Sequence, residues 1–538
     1  MSSYRQVPGV RVLGAEHAPY AAALLRGAWG DGGPDAVPVR LAFDPALPEG
    51  GHCVDVPEVG EVRLTGDPFA GLVYAARELV GRATPAGLPV GASATAPGLP
   101  LRTLWTWDHS TNWDTRQLGQ QEIGALNPYA KSADAFGADY RRLVDFCSQE
   151  RIGGIVVYGL LRDAHGGVGA ARDLCEYANA RGVRIIAGIG VNAYGGIYFD
   201  GRHRYNLATW LRPRPDLAAE LPKKVGFDID EFGDLHFPAS EYMMAACPSQ
   251  PDNLAWHRDA IDWLLDTLPI GGINFETGDY GSCACARCAA HAGGERTSWS
   301  YEAMRSVYPT LLETARRPGP AGVPLRHLVE VYWDNIFDLD AQQPLADLPD
   351  DVAYQYCVNR GFWCDNRDRL TAEHVDRLPH TTNVLRTHAG SQWNRQRHSW
   401  VPEMYADMAT RAGAAGMRGL TIFAEAAAYH PTNEISYLAY ARFSWNPELA
   451  WADFWRDEVA PRFGGSAEAE AFRDGAALLD DPAATAAALD AVRGDALAMV
   501  AATGGEVQRR WLWLAERAAR YAHSADPPPA RDGCRAGP

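Results

Sequence analysis

The run GIVVYGLLRDAHGGVGAARDLCEYANARGVRIIAGIGVN, Gly154 to Asn192, decides the fold. Its first residues, Gly154 to Tyr158, form a short apolar run that reads as a buried strand. From Ala170 to Arg181 apolar residues return at i, i+3 and i+4 spacing, which predicts an amphipathic helix. A second apolar run, Arg184 to Ile189, follows directly. Strand, helix and strand in this order are the signature of a β/α barrel or an open parallel sheet.

The same alternation extends outward in both directions. Expected strands are Thr103 to Trp107, Gly154 to Tyr158, Arg184 to Ile189, Gly272 to Glu276, His327 to Tyr332, Val352 to Cys357, Thr382 to Thr387 and Gly419 to Glu425. Helical spacing recurs in Phe136 to Glu150, Leu254 to Leu268 and Tyr301 to Arg316. Eight βα units in about 345 residues favour a closed (β/α)8 TIM barrel over a Rossmann-type sheet. The third connection, from Val191 to Pro248, is much longer than an ordinary βα loop and is expected to wall the site.

Upstream, Val10 to Leu13, Val37 to Phe43 and Val62 to Leu64, with one clear helix over Pro68 to Val80, predict a small α+β domain over residues 1–97. PAGLPVGASATAPGLP reads as the linker that closes it. The barrel is expected over residues 98–446, an Ala-rich C-terminal helical region over 447–525 and a disordered Pro-rich tail over 526–538.

Composition sets the chemical class. Of the 538 residues 47% are hydrophobic and 22% charged, close to the averages of folded soluble proteins. Lys and Arg total 50 against 67 Asp and Glu, a net charge of −17 that repels phosphate backbones and anionic lipid, so neither nucleic acid nor a membrane is an expected partner. The start, MSSYRQVPGVRVLG, lacks the basic and apolar pattern of a signal peptide, and no stretch approaches ~20 continuous apolar residues, so a cytoplasmic protein is expected. Homo-oligomerisation is compatible with this composition. The 10 cysteines are expected as thiols or metal ligands rather than disulfides. The 17 Trp and 22 Tyr, many at strand ends, suit a pocket that stacks rings of a small ligand.

In a β/α barrel the site lies at the C-terminal ends of the strands, so the polar residues closing each strand are the candidates. The first strand ends WTWDHSTNW, supplying Trp105, Trp107, Asp108, His109 and Asn112. The second ends at Tyr158 and the third at Asn192 and Tyr194. NFETGDYG closes the fourth with Glu276 and Asp279, and EVYWDN closes the fifth with Glu330, Tyr332, Trp333, Asp334 and Asn335. The last three supply Asn359, Arg360 and Trp363, then His388, Gln392 and Trp393, then Glu425, Tyr429 and Glu434. Carboxylates, amides and indoles around one mouth are what sugar recognition requires: aromatic faces stack on C–H surfaces and polar groups bind hydroxyls.

Hydrolysis of a glycosidic bond needs one carboxylic acid to protonate the leaving oxygen and a second group to supply or stabilise the nucleophile. Glu276 is the leading acid, because it closes an apolar strand where partial desolvation favours a raised pKa. Asp279, Glu425 and Glu330 are candidates for the second carboxylate. The plainer readings are a helix cap or a pairing with Arg360 for Glu276, a turn residue for Asp279 and hydroxyl ligands for Glu425 and Glu330. No cofactor is expected for this chemistry.

The order of elements, with GDPFAGLVYAARELV in the small domain, resembles the glycoside hydrolases of families 20, 67, 84, 115 and 163. FETGDYGSCACARC resembles the Cys-rich loop after strand four of family 163, and IFAEAAAYHPTNEISYLAYARFSWNP resembles the end of strand eight in families 67, 115 and 163. The resemblance implies an oligosaccharide or glycoside substrate, a strand-four general acid at Glu276 or Asp279, and β-N-acetylhexosaminidase-like activity. Family 20 carries adjacent Asp and Glu at this strand end, whereas Phe275 precedes Glu276 here. Family 67 implies instead an α-glucuronidase whose uronate is bound by an Arg, with Arg360 and Arg386 available.

Cys283, Cys285 and Cys288 form C-x-C-x-x-C just after Glu276, and Cys247 precedes the helix leading into the same strand. Adjacent loops bringing these four thiols together would make a closed structural Zn²⁺ site with no open position for catalysis. The plainer reading is reduced, buried cysteines. Two other functional classes fit a barrel with this mouth. One is a metal-dependent sugar isomerase or lyase using several of Asp108, His109, Glu276, Glu330 and His388; the other is a non-catalytic carbohydrate-binding barrel.

Overall fold

The structure, a computed structural model, describes residues 3–107, 133–193, 195–220, 244–276, 283–291, 306–319, 325–331, 335–339, 343–387, 400–424, 430–479, 481 and 483–523. Eight parallel strands close into a barrel in chain order: Leu101–Trp107, Gly154–Tyr158, Arg184–Gly190, Gly272–Glu276, Leu328–Val331, Ala353–Val358, Asn383–Thr387 and Gly419–Phe423. The first strand pairs with both the second and the eighth, so no edge remains. Each strand lies within two residues of its sequence-based bounds.

Every residue of the second through eighth strands is buried. One face meets the surrounding helices and the other fills the barrel, which is why these strands read as nearly unbroken apolar runs. Helices Ala133–Glu150, Gly167–Ala180, Pro251–Thr267, Tyr308–Ala315, Pro402–Ala414 and Pro431–Trp445 follow the first, second, third, fourth, seventh and eighth strands. Three of them open on proline, whose fixed φ suits the first helical turn and whose missing N–H costs nothing there.

Before the barrel, a five-stranded sheet runs in the order Val10–Leu13, Val37–Phe43, Val62–Gly66, His52–Val56, Gly91–Thr95, covered by helices Pro19–Trp29 and Gly71–Gly81. The reading of one helix and a linker is corrected here. Helix Pro19–Trp29 buries Ala21, Ala22 and Leu25, a stripe rich in alanine that gives little hydrophobic signal. Gly91–Thr95, inside the supposed linker, pairs antiparallel with His52–Val56. GASAT is small and mostly exposed, so backbone pairing rather than an apolar pattern makes it a strand. The sheet is tied to the barrel by Glu49, which pairs with Arg184 (3.4 Å) and Arg326 (2.8 Å) beneath the third and fifth barrel strands.

After the barrel, helices Ser466–Leu479, Ala486–Ala502 and Gly505–Ala522 continue the chain. Arg510 on the last of them makes a two-pronged contact with Glu434 on the helix after strand eight (2.9 and 2.5 Å). Trp511 donates to the Phe463 carbonyl (3.0 Å) and Trp513 to His430 Nδ1 (2.9 Å). The tail expected over 526–538 lies outside the described residues. Among the described residues eight cysteines are free thiols. Among the described residues no helix is long and apolar enough to cross a membrane.

Candidate functional site

Glu276 is the last residue of the fourth strand and is completely buried. Side chains alternate across a strand, so Glu276 shares the inward face with Asn274 two residues earlier. Asn274 donates to the hydroxyl of Tyr158 (3.1 Å) and accepts from Gln355 (2.6 Å), a polar girdle across the barrel one layer below Glu276.

Beside it, Glu330 of the fifth strand and Arg386 of the seventh form an ion pair of 3.1 Å, both with no exposed side-chain surface. Arg386 also donates to the thiol of Cys357 on the sixth strand, and its guanidinium lies 4.2 Å from the centre of the Trp105 ring. Burial pushes the Cys357 thiol up; Arg386 acts against that, and the charges of Glu330 and Glu276 add to it. Four consecutive strands, the fourth through the seventh, thus contribute two carboxyls, a thiol and a guanidinium to one dry end of the barrel.

Trp105 packs between Tyr158 (4.7 Å) and Phe423 (4.6 Å) in tilted ring contacts, within the apolar cluster of Val156, Ile186, Leu328, Ala353 and Val384. Trp105 and Tyr158, expected as stacking surfaces for a ligand, are buried in the barrel, where Trp105 supports Arg386. The Tyr158 ring fits because Gly188 lies opposite it in the register. A Cβ on Gly188 would come within 2.3 Å of that ring.

The long third connection returns over this end of the barrel. Phe199 and Ala193 join the Trp105 and Tyr158 cluster, and Asn206 holds the Tyr198 and Phe199 carbonyls at 3.0 and 3.3 Å. Asn192 takes a left-handed backbone (φ 64°), and its Oδ1 lies 2.9 Å from Nε2 of His257. Burial lowers the pKa of His257 to about 4, so the ring is neutral at pH 7. The Val191 N–H donates to the Glu276 carbonyl (2.7 Å), fixing the backbone of the candidate acid to the start of this connection.

On the sixth strand's end, Asn359 caps the helix Arg360–Asn366 by accepting from the Phe362 N–H (2.8 Å), and Arg360 is buried in its first turn. Trp363 turns to the helices and donates to Asp407 (3.1 Å). Trp107 closes the first strand. Asp108, His109, Asn112, Tyr194, Asp279, Tyr332, Trp333, Asp334, His388, Gln392, Trp393, Glu425 and Tyr429 lie outside the described residues. Cys357, Phe423, Phe199, Asn274 and Gln355 were not among the sequence candidates. Counting back in twos from each strand end would have found the strand residues; Phe199 carries no such signal.

A second cluster lies beside the site. The sulfurs of Cys247, Cys283, Cys285 and Cys288 all fall within 4.8 Å of one another. Cys247 Sγ is 3.7 Å from the sulfurs of both Cys285 and Cys288. Among the described residues this is the one group of metal-ligand type.

No family profile matches the chain, and no curated protein sequence matches it. Solved structures do match. A β-N-acetylhexosaminidase from Bacteroides fragilis NCTC 9343 is similar over 85% of this chain and 91% of its own, with 13% identity and a TM-score of 0.53. A GH138 enzyme targeting pectin rhamnogalacturonan II is similar over 89% of this chain and 55% of its own, with 13% identity and a TM-score of 0.54. CpGH84B is similar over 97% of this chain and 87% of its own, with 9% identity and a TM-score of 0.55. These likenesses establish the fold. The barrel with its flanking sheet and helices is the architecture of glycoside hydrolases such as these, in keeping with the resemblance to families 20 and 84.

Proposed function

We propose that the chain is a glycoside hydrolase, β-N-acetylhexosaminidase-like in substrate class, with Glu276 as its general acid. One observation carries the reading: a fully buried carboxyl closes the fourth strand beside the Glu330–Arg386 ion pair. A general acid must hold its proton until the leaving oxygen needs it, and removal from water favours the protonated carboxyl. Arg386 offsets the charge of Glu330, so Glu276 need not face an uncompensated carboxylate. Glu330, already bound to a guanidinium, is assigned to positioning, which leaves Asp279 or Glu425 as the second catalytic group. Phe275 faces outward, its ring 6.2 Å from those of Tyr308 and His327. Position 275 therefore gives the mouth no carboxylate for an acetamido group, and Asp279 would have to take that role in substrate-assisted chemistry.

A uronic acid substrate is the second reading, favoured by Arg386 over the face of Trp105 and opposed by Glu330 on the same guanidinium. A panel of nitrophenyl glycosides, including β-N-acetylglucosaminide, β-N-acetylgalactosaminide, α- and β-glucuronide and β-galactoside, separates the two. The expected result is release from an N-acetylhexosaminide. For the matching oligosaccharide, with its poorer leaving group, Glu276→Gln should lower kcat by about 10² to 10⁴. Wild-type rates in Glu276→Gln, or no cleavage of any panel member or of N-acetylglucosamine oligosaccharides, would overturn the reading.

A further inference from the structure

We propose that Cys247, Cys283, Cys285 and Cys288 bind a structural Zn²⁺ that fastens the loop following Glu276 to the end of the long third connection. Four thiolates at about 2.3 Å from a tetrahedral metal lie about 3.8 Å apart. The separations of Cys247 Sγ from the sulfurs of Cys285 and Cys288, both 3.7 Å, match that edge. They are far longer than a disulfide bond of about 2.05 Å. The longest edge, within 4.8 Å, needs only a contraction of side-chain torsions.

The surroundings suit a charged metal–thiolate centre. The Glu220 N–H donates to Cys283 (3.3 Å), the Cys288 N–H to Cys285 (3.4 Å), and the Ser249 hydroxyl lies 3.0 Å from the Cys288 sulfur. Donors aimed at sulfur spread the negative charge of bound thiolates and orient them. The backbone around the ligands is held independently of the metal. Asn253 donates to the carbonyls of Leu217 (2.8 Å) and Cys247 (3.0 Å), and the Ala284 N–H donates to the Glu220 carbonyl (2.6 Å).

An all-sulfur tetrahedron selects zinc or iron among common metals, and four protein ligands leave no position for a substrate. On binding, the four thiols release their protons to solvent and the metal takes the four thiolates, with no change of oxidation state. The metal would close a link between segments that leave neighbouring strands, the third and the fourth, and so limit the freedom of the chain that carries Glu276. The assignment does not depend on the reaction proposed above, since these thiols bind metal whatever Glu276 does.

The test is metal analysis of the full chain, purified under reducing conditions from zinc-supplemented medium without chelators. One zinc per chain is expected, with an X-ray absorption shell of four sulfurs at about 2.3 Å. Metal removal should lower the midpoint of thermal unfolding, and added Zn²⁺ should restore it. Cys283→Ser with Cys285→Ser should weaken zinc binding at least about 10-fold. Should that variant not fold, the absorption shell of the wild type decides alone. Iron at equal stoichiometry, metal-free protein whose thiols titrate freely, disulfides among these cysteines, or a shell dominated by nitrogen or oxygen would each overturn the proposal.

Discussion

Glu330 and Arg386 show why single side chains matter at the closed end of a barrel. Neither has exposed side-chain surface, so the ion pair compensates part of the hydration that each has lost. Breaking such a pair costs more than the pair itself is worth, because an uncompensated charge remains in the interior. Arg386→Met should therefore lower stability by about 3–5 kcal/mol in urea unfolding. Adding Glu330→Gln to that variant should recover a large part of the loss. Costs that simply add in the double variant would show that the two groups are not coupled.

At the scale of elements, the barrel strands were legible and two elements of the flanking domain were not. Apolar runs bounded by turns located all eight barrel strands, because a strand buried on both faces has few polar residues to blur its pattern. Strand Gly91–Thr95 and helix Pro19–Trp29 escaped, since their signals lie in backbone pairing and in small alanine side chains. The same limit applies to the site. Glu276 and Glu330 were legible as polar residues ending apolar runs, whereas the Tyr158 ring filling the space above Gly188 depends on the register between two strands. Gly188→Ala should cost about 1–3 kcal/mol by overpacking, as read from the urea midpoint. In a Tyr158→Ala background the added methyl should cost much less. An unchanged midpoint for Gly188→Ala in the wild-type background would mean that the ring is free to move.

At the scale of the whole molecule, Glu78 joins the flanking sheet to the barrel. From helix Gly71–Gly81 it pairs with His52 (2.8 Å) on the sheet that helix covers, with Arg82, and with Arg151 (3.5 Å) at the foot of the barrel. Burial pushes its carboxyl up, but hydrogen bonds from His52 and Ser93 and the charges of His52 and Arg151 prevail, bringing the pKa down to about 2. A depressed folded-state pKa stabilises the protein above the unfolded-state value, and the gain disappears as pH falls towards the folded value. Glu78 should therefore contribute on the order of 2 kcal/mol near neutral pH, lost between about pH 4.5 and 2. The stability difference between wild type and Glu78→Gln should shrink across that window. A difference independent of pH would remove Glu78 from the acid response.

The sequence by itself determined that eight parallel strands alternate with helices, because each strand's apolar content records its own burial, a local property. It also determined that strand ends carry carboxylates, amides and indoles. Only the tertiary structure decided which of these meet. Closure of the sheet brings Glu330 and Arg386 together from strands separated by more than fifty positions, and it gathers Cys247 with the cysteines after Glu276. Such pairings follow from register and from the return of a long connection over the barrel, neither of which leaves a periodic trace in the chain.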